Sequence, residues 1–161
     1  MTLAIYAGSF DIMSIGHLSV ISEAAKIFGH VIVLVANNPN KQYVLTKEER
    51  ISTVRDSISG LVNTSVAYTD GLVVDYARQV GANVLVRGMR DSSDCAYELA
   101  LAKTNKALSG ISTVVLPASL TDISSSMIRE KFNNGEAFGV YCPPPVAALL
   151  ATKLAARSSN T

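Results

Sequence analysis

The N-terminal stretch LAIYAGSFDIMSIGH (residues 3–17) joins a short apolar run to a loop that contains glycine and serine. The run Leu3–Tyr6 predicts a buried strand, and Gly8 and Ser9 end it. Beyond the loop, apolar residues recur at helical spacing directly after Gly16 and His17. In an open parallel sheet, phosphate groups bind where a strand runs through a glycine loop into a helix. The stretch therefore predicts a phosphate-binding edge, with a histidine that can donate a proton or a positive dipole to phosphate oxygens.

Composition limits the classes of protein to consider. With 161 residues the chain is long enough for one domain with a substantial hydrophobic core, and we predict a single domain over 1–161 with a frayed polar tail at 157–161. A net charge of +1 argues against broad capture of nucleic acid or of an anionic membrane surface. The two cysteines, Cys95 and Cys142, are far apart, which disfavours a disulfide framework or a zinc site. The first strand begins at once and no apolar run reaches membrane-spanning length, so we expect a cytoplasmic protein.

Strands and helices alternate along the chain. The predicted strands are Leu3–Tyr6, His30–Val35, Thr64–Ala67, Val84–Val86 and Ser112–Leu116. Helices are predicted between them, with a capping box at Thr46 and Glu49 and stops at Gly29, Gly81 and Gly135. A proline-led apolar helix, Val146–Leu154, closes the chain. This pattern predicts an α/β fold, a doubly wound five-stranded parallel sheet with helices on both faces and a C-terminal helix.

Polar groups that suit phosphate follow four of the five predicted strands. Arg87 and Arg90 follow the fourth strand with a glycine between them, and guanidinium forks match phosphate oxygens bidentately. The groups after the four strands are Gly8, Ser9, Gly16 and His17; then Lys41; then Arg87 and Arg90; and finally Ser124, Ser125 and Ser126. Because the carboxyl ends of parallel strands meet at one edge, we expect these groups to share a cleft.

Several of these residues, and Glu98 in the helix that follows the arginines, also have an ordinary structural explanation. Lys41 alone is typical of a solvated surface lysine, and the arginines suit surface ion pairs with Asp91 or Asp94. Glu98, inside the long predicted helix, is of a type that usually faces solvent. The serine triplet suits an N-cap, which is compatible with phosphate binding at the same helix start.

Absent motifs narrow the chemistry further. The sequence has no G-x-x-x-x-G-K-[ST] P-loop, no G-x-G-x-x-G after the first strand and no G-x-S-x-G elbow. No cluster of carboxylates suggests a metal held by the protein itself. Basic and neutral donors without a protein nucleophile favour direct transfer between two bound phosphates, with the protein positioning both and neutralising charge.

The motifs resemble the nucleotidylyltransferase superfamily. Gly8-Ser9-Phe10-Asp11 followed by Ser14-Ile15-Gly16-His17 is similar to its G-[TS]-F-D and [TH]-x-G-H signature, and the stretch 123–129 (ISSSMIR) is similar to its second signature. Within that superfamily, Arg87-Gly88-Met89-Arg90 with Asp94, Tyr97 and Glu98 resembles the bacterial phosphopantetheine adenylyltransferase family. The segment 46–50 (TKEER) and the proline-led C-terminal helix fit it too. The resemblance covers residues 4 to about 155.

The resemblance implies transfer of AMP from ATP to 4′-phosphopantetheine, with Mg²⁺, in a homohexamer whose site CoA can also occupy as a feedback ligand. It implies no nucleic-acid or membrane partner. The catalytic residues it implies are Ser9, His17, Lys41 and Arg90. The ATP-binding residues it implies are Ser9, Phe10, Gly16, His17, Arg90, Glu98, Ile123, Ser124, Ser125 and Ser126. The phosphopantetheine-binding residues it implies are Ser9, Lys41, Leu72, Val73, Arg87 and Asn105.

The sequence departs from the family pattern at several positions. Ile12 stands where the family usually has proline, and Leu120 where an aromatic residue near the adenine is expected. Two other hypotheses remain open at this point. One is another enzyme of the superfamily, such as a nicotinate-mononucleotide adenylyltransferase or a glycerol-phosphate cytidylyltransferase. The other is a non-catalytic module that senses ATP, which would not need His17, Lys41 and both arginines together.

Overall fold

A computed structural model of the chain describes residues 1–119 and 122–159. The elements in chain order are β1 (Leu3–Gly8), α1 (Ile15–Ile27), β2 (His30–Ala36), α2 (Lys47–Ser57), β3 (Thr64–Thr69), α3 (Val73–Gln79), β4 (Val84–Met89), α4 (Ser92–Ser109), β5 (Ser112–Pro117), α5 (Ser125–Asn134) and α6 (Pro144–Ser159). A short 3-10 helix at Gly139–Tyr141 precedes α6. The described part of the chain contains no helix that is long and apolar enough to cross a lipid bilayer.

The five strands form one parallel sheet in the order β3-β2-β1-β4-β5, which confirms the predicted fold class. Strand β1 is central and pairs with β2 on one side, with Ile5 opposite Ile32, and with β4 on the other, with Ile5 opposite Leu85. The strand order therefore reverses between β1 and β4. In open α/β sheets a crevice forms at this point, beyond the carboxyl ends of the strands.

Alternation along β1 explains why helices cover both faces of the sheet. Ala4 and Tyr6 face one hydrophobic cluster, together with buried residues of α1, α2, α5 and α6, whereas Ile5 faces a second cluster that includes Val74 and Ala77 of α3. Successive side chains of a strand point to opposite faces of the sheet. An almost continuous apolar run therefore supplies buried side chains to the hydrophobic clusters on both faces.

Helix ends follow the sequence signals with one exception. The capping box at Thr46 and Glu49 is present, and Gly81 and Gly135 follow their helices with φ of 68° and 70°, as predicted. Gly29 also lies just past the end of its helix, as predicted, and it is the exception only in lacking a positive φ. Helix α1 ends at Ile27, and its C-cap Phe28 is already extended (φ −103°, ψ 151°), because the chain passes directly into β2.

Several segments extend further than predicted, β4 and α6 by the most. Strand β4 continues through Arg87 and Gly88 to Met89, because it pairs with β5 over that whole length. Helix α6 continues to Ser159, so residues 157–159, predicted as part of a frayed tail, are helical. Leu120, and residues 160–161 of the predicted tail, lie outside the described residues.

Candidate active site

A cleft of about 520 Å³ opens beyond the carboxyl ends of β1 and β4, at the reversal of strand order. It brings together most of the residues predicted for the site, from all four segments. These are Ser9, Gly16, His17, Lys41, Arg87, Arg90, Glu98, Ile123, Ser124, Ser125 and Ser126. Tyr6, Gly8, Ser14, Gly88, Asp94 and Tyr97 also line the cleft.

Two helices begin at this cleft. Ser14 caps α1 and Ser124 caps α5, each by accepting a hydrogen bond from the backbone N–H three residues later. The first N–H groups of a helix have no partner within it and carry the positive end of the helix dipole. Gly16 and Ser125 lie in these first turns and line the cleft, so both helices present a positive end to it. This arrangement suits an anionic ligand.

The capping box of α1 fixes the tautomer of His17. The backbone N–H of Ser14 donates to His17 Nδ1 at 3.0 Å, and the Ser14 hydroxyl lies 3.1 Å from the same nitrogen. A backbone N–H can only donate, so Nδ1 accepts and carries no proton. The proton of the neutral ring therefore resides on Nε2, and His17 is a hydrogen-bond donor through that atom.

The surroundings of His17 keep it neutral. Burial, with the positive charges of Arg90 and Arg87 as further causes, lowers its pKa from 6.5 to about 4. The rings of Phe10 and Tyr6 enclose the imidazole, with centroids at 5.3 Å and 6.4 Å. His17 at neutral pH is thus an uncharged donor, aligned by its helix before any ligand binds.

The two arginines of β4 differ in their partners. Arg87 donates from Nε and Nη2 to both oxygens of Glu98, at 2.8 Å and 3.0 Å. Glu98 is 6% exposed, so the interpretation of this carboxylate as solvent-facing was wrong; it is held inside by this bidentate pair. Hydrogen bonding to Glu98 raises the pKa of Arg87. Arg90 is more exposed, and its Nε lies 3.5 Å from Oδ2 of Asp94. The surface ion pair considered from the sequence is therefore present for Arg90 with Asp94.

The three serines at the start of α5 have three different partners. Ser124 accepts from the backbone N–H of Met127, and the Ser125 hydroxyl donates to the carbonyl of Ile12 at 2.7 Å. Ser126 accepts from the guanidinium of Arg129 at 3.0 Å. The hydroxyls therefore organise the loop and the helix, and the first backbone N–H groups of this turn are the groups that suit an anion.

The loop after β1 is fixed by interactions distant in sequence. The buried Asp11 carboxylate accepts from the backbone N–H of Val44 at 3.1 Å and of Leu45 at 2.8 Å, and Arg129 donates to the Asp11 carbonyl. Ile12 is completely buried, so apolar packing holds the loop where the family pattern has proline. Phe10, expected to frame the nucleotide, is buried beneath the cleft with φ of 49° and packs against His17.

A second, apolar cavity of about 110 Å³ adjoins the cleft. Ala7 and Arg87 line both cavities, and Val73 and Asn105 line the smaller one together with Ile5, Leu85, Val86 and Leu101. Leu72 lines neither cavity; it is the N-cap of α3 and is 64% exposed.

Among residues 1–119 and 122–159, no group of three or more histidine, cysteine or acidic side chains forms a metal site. The acidic side chains in the cleft, Asp94 and Glu98, are each paired with an arginine.

Sequence reasoning missed three supporting residues. The sequence placed Ser14 and Arg129 within motifs, and Arg50 at the end of the TKEER segment, but it indicated no role for any of the three. The signal for Ser14 was present: a serine three residues before a side chain that can accept a hydrogen bond has the spacing of a capping box. Arg129 acts on Asp11 across 118 positions, for which one sequence offers no signal.

Comparisons with known proteins place this chain in a family. The Cytidylyltransferase-like family model matches residues 5–131. Two solved structures share the fold. A proposed nicotinate-nucleotide adenylyltransferase from Vibrio parahaemolyticus has a TM-score of 0.73 at 20% identity, over 94% of this chain and 99% of that one. A lipopolysaccharide core biosynthesis protein from Thermoplasma volcanium GSS1 has a TM-score of 0.56 at 21% identity, over 76% and 99%.

Curated relatives are more similar in sequence. The phosphopantetheine adenylyltransferase of Actinobacillus pleuropneumoniae serotype 3 (strain JL03) is 44% identical over 152 residues, which cover 92% of this chain and 96% of the relative. That of Cutibacterium acnes is 39% identical over 149 residues, covering 91% and 95%. That of Heliobacterium modesticaldum is 41% identical over 156 residues, covering 95% and 93%. Similarity at this level along nearly the full length of both partners shows that the chain belongs to the phosphopantetheine adenylyltransferase family.

Proposed function

We propose that the chain transfers the adenylyl group of ATP to 4′-phosphopantetheine, giving dephospho-CoA and pyrophosphate, a step of coenzyme A synthesis. The observation that carries the proposal is the neutral His17, whose proton resides on Nε2 in a cleft of helix N-termini and arginines. Relatives covering more than nine tenths of the chain have this activity in their names.

The chemistry is a direct displacement at phosphorus. An oxygen of the 4′-phosphate attacks the α-phosphorus of ATP, the new P–O bond forms, and the bond from the α-phosphorus to the bridging oxygen of the β-phosphate breaks. Pyrophosphate leaves with that electron pair. The protein has to position two anions in line and stabilise charge on the oxygens of the α-phosphate, and no protein nucleophile is required.

The roles proposed for the site residues follow from their chemistry. His17 donates from Nε2 to an oxygen of the α-phosphate as charge builds there in the transition state. Arg90 and Lys41 neutralise the remaining phosphate charge, and the hydroxyl and backbone N–H of Ser9 donate hydrogen bonds to phosphate oxygens. We further propose that Gly16, Ile123 and the first-turn N–H groups at Ser124–Ser126 contact ATP. Glu98 acts indirectly, by orienting Arg87, and Phe10 acts indirectly, by packing on His17.

The acceptor is proposed to extend from the cleft into the second cavity. Arg87 lies at the junction of the two, where its guanidinium, oriented by Glu98, suits the 4′-phosphate. Val73 and Asn105 offer an apolar surface and an amide for the pantetheine arm, and the exposed Leu72 lies next to Val73 at the start of α3. The amide bonds and thiol of pantetheine suit a mainly apolar cavity with one polar side chain.

Mg²⁺ is proposed to enter with the triphosphate of ATP. Protein ligands for it are lacking among the described residues of the cleft, because both acidic side chains are paired with arginines. Mg²⁺ keeps several waters and commonly bridges substrate phosphates, where it would neutralise charge on the leaving pyrophosphate.

We further propose a homohexamer in the cytoplasm, with CoA as a feedback ligand of the same site and without nucleic-acid or membrane partners. Helix α4 supports self-assembly: of its 18 residues only Glu98 is buried, and Tyr97, Leu99 and Leu108 expose more than half of their surface. A helix that leaves several large apolar side chains exposed in this way is typical of an interface.

The acceptor decides between this proposal and a related enzyme. The alternative is another nucleotidylyltransferase of the superfamily, such as a nicotinate-mononucleotide adenylyltransferase. The test incubates the protein with Mg²⁺, ATP and either 4′-phosphopantetheine or nicotinate mononucleotide and follows pyrophosphate release. We expect release with phosphopantetheine; release with nicotinate mononucleotide alone would contradict the proposal.

A second test separates an enzyme from a module that only binds ATP. We expect His17→Ala to lower kcat roughly a hundredfold or more while the Kd for ATP stays within about threefold, because the donor acts mainly in the transition state. His30→Ala is the matched control, since His30 is at the start of β2, at the end of the sheet opposite to the cleft, and within the described residues its side chain hydrogen-bonds only to Ser65. An unchanged kcat in His17→Ala would refute the role given to His17.

A further inference from the structure

Arg50 is a buried cation in the second turn of α2. It is 2% exposed and is among the largest fully buried side chains of the described chain. Its Nη1 donates to the carbonyl oxygen of Ser9 at 3.1 Å and its Nη2 to Oδ1 of Asn37 at 3.3 Å. The guanidinium also stacks on the ring of Tyr43, with 3.9 Å from its central carbon to the ring centroid.

The charge of Arg50 has no anionic partner within residues 1–119 and 122–159. Both of its acceptors are neutral oxygens, and Nε has no hydrogen-bond partner there. The neighbouring Glu49 is paired with Lys153 and is no counter-ion for it. Burying a cation without a carboxylate costs free energy, so the fold alone gives no reason to prefer arginine to an apolar side chain of similar size.

The contacts of Arg50 join two loops that bear proposed catalytic residues. The Ser9 carbonyl belongs to the loop after β1. Asn37 and Tyr43 belong to the loop after β2, which also contains Lys41. The Tyr43 hydroxyl receives a hydrogen bond from the backbone N–H of Asn38 at 2.7 Å, and the Lys41 N–H donates to the Asn38 carbonyl at 3.0 Å. A chain of contacts thus runs from Ser9 through Arg50 and Tyr43 to the turn that presents Lys41.

We propose that Arg50 is a positioning residue of the adenylyl-transfer site: it clamps the Ser9 loop to the Lys41 loop and places an uncompensated positive charge beneath the phosphate cleft. The inference rests on the proposed function, because it assigns Arg50 to the reaction that Ser9 and Lys41 serve. Lys41 itself is exposed and its side chain makes no hydrogen bond within the described residues, so its position depends on its loop.

Lysine cannot replace this arrangement. The planar guanidinium reaches two oxygens on different loops while its face lies on the Tyr43 ring. An ammonium group is a point charge without a stacking face and lacks the rigid fork. Arg50→Lys therefore keeps the charge and loses the clamp, whereas Arg50→Met loses both and keeps an apolar stem of similar length.

The decisive experiment is a double-mutant cycle between Arg50 and Lys41, read by dephospho-CoA formation with Mg²⁺-ATP and 4′-phosphopantetheine. We expect Arg50→Met and Arg50→Lys each to lower kcat roughly tenfold or more, with a smaller change in KM for ATP. In a Lys41→Ala background, the further loss caused by either substitution should shrink to less than about threefold, because the group that the clamp positions is gone. Arg55→Met, on the exposed side of the same helix, is the control and should leave kcat unchanged.

Tyr43→Leu keeps the test decisive if Arg50→Met does not fold. It removes the stacking face but leaves the bonds of Arg50 to Ser9 and Asn37, and its loss of kcat should also shrink in the Lys41→Ala background. If the Arg50 substitutions lower kcat by the same factor with and without Lys41, the two residues act independently and the clamp is overturned. A Lys41→Ala variant with unchanged kcat would also overturn it. A lowered Tm with kcat of the folded fraction intact would show a merely structural Arg50. If the wild-type chain forms no dephospho-CoA, the proposed function fails; if it does and the cycle is multiplicative, only the clamp fails.

Discussion

The protonation state of His17 is the prediction that follows most directly from the geometry. Because Nδ1 accepts from the Ser14 backbone N–H, the ring should remain in the Nε2–H tautomer throughout the neutral range. With its pKa lowered to about 4, about 3% of His17 is protonated at pH 5.5, whereas an unperturbed histidine with a pKa near 6.5 would be about 90% protonated. The two cases therefore differ about thirtyfold in charged population at one accessible pH.

The assay is a ¹⁵N NMR titration of the free protein between pH 8 and pH 5. The chain has two histidines, and His30→Gln leaves His17 as the only imidazole. We expect one pyrrole-like nitrogen (Nε2) and one pyridine-like nitrogen (Nδ1), with shifts that move by no more than about a tenth of their full titration range down to pH 5. A midpoint near 6.5, or a proton on Nδ1, would refute the assignment of His17 as a pre-aligned neutral donor.

The same shift has a consequence for stability with a defined sign. The folded state holds the pKa of His17 below its unfolded value, so the unfolded state binds more protons between pH 6.5 and 4. Stability from this group is complete above about pH 6.5 and is lost as pH falls, by at most about 3 kcal/mol at pH 4. Urea denaturation of wild type and His17→Asn should show a shallower loss in the variant over this window; parallel curves would contradict the shift.

Three further predictions concern the residues that support the site. Glu98→Gln should raise KM for phosphopantetheine about tenfold and lower the free energy of unfolding by about 2 kcal/mol, because it breaks the bidentate pair with Arg87. Asp94→Asn is the control: it breaks the more exposed pair with Arg90 and should lower the free energy of unfolding by less than about 1 kcal/mol. Ser125→Ala should lower the free energy of unfolding by about 1 kcal/mol in urea titrations, because the carbonyl of buried Ile12 loses its donor; no change would show that water replaces the hydroxyl freely. Thr46→Ala should lower Tm through loss of about 1 kcal/mol of helix capping while kcat per folded molecule stays the same, since Thr46 lies outside the cleft and the side-chain contacts of Arg50 do not involve it; a lower kcat would show that Arg50 needs a capped α2 to hold the two loops.

Local patterns in the sequence predicted most of the fold. The apolar runs placed all five strands, and Thr46 with Glu49, three residues apart, specified the start of α2 because a capping box needs only those two positions. Gly29 marked the end of α1 correctly but lacks the left-handed conformation of a glycine cap, because the helix ends in extended backbone that leads into β2. Strand β4 reached Met89 because pairing with β5, a non-local interaction, extended it beyond its apolar run.

The site was predicted in outline for the same physical reason. Parallel strands bring their carboxyl ends to one edge, so strand positions alone predicted that His17, Lys41 and Arg90 would line one cleft. Their partners could not be predicted in this way. Glu98 is held inside by Arg87, and Arg50 reaches Ser9 across 41 positions, contacts that depend on how helices pack on the sheet.

The transfer of the α-phosphorus tests the central claim most directly. ATP labelled at the α-phosphorus is incubated with Mg²⁺, 4′-phosphopantetheine and the protein, and products are separated by chromatography with mass detection. The displacement proposed for this cleft predicts that the label appears in dephospho-CoA, in amounts equal to the pyrophosphate released, and that His17→Ala loses both products together. Label that remains in ADP or AMP, with the acceptor unmodified or carrying a γ-phosphoryl group, would contradict adenylyl transfer by this cleft.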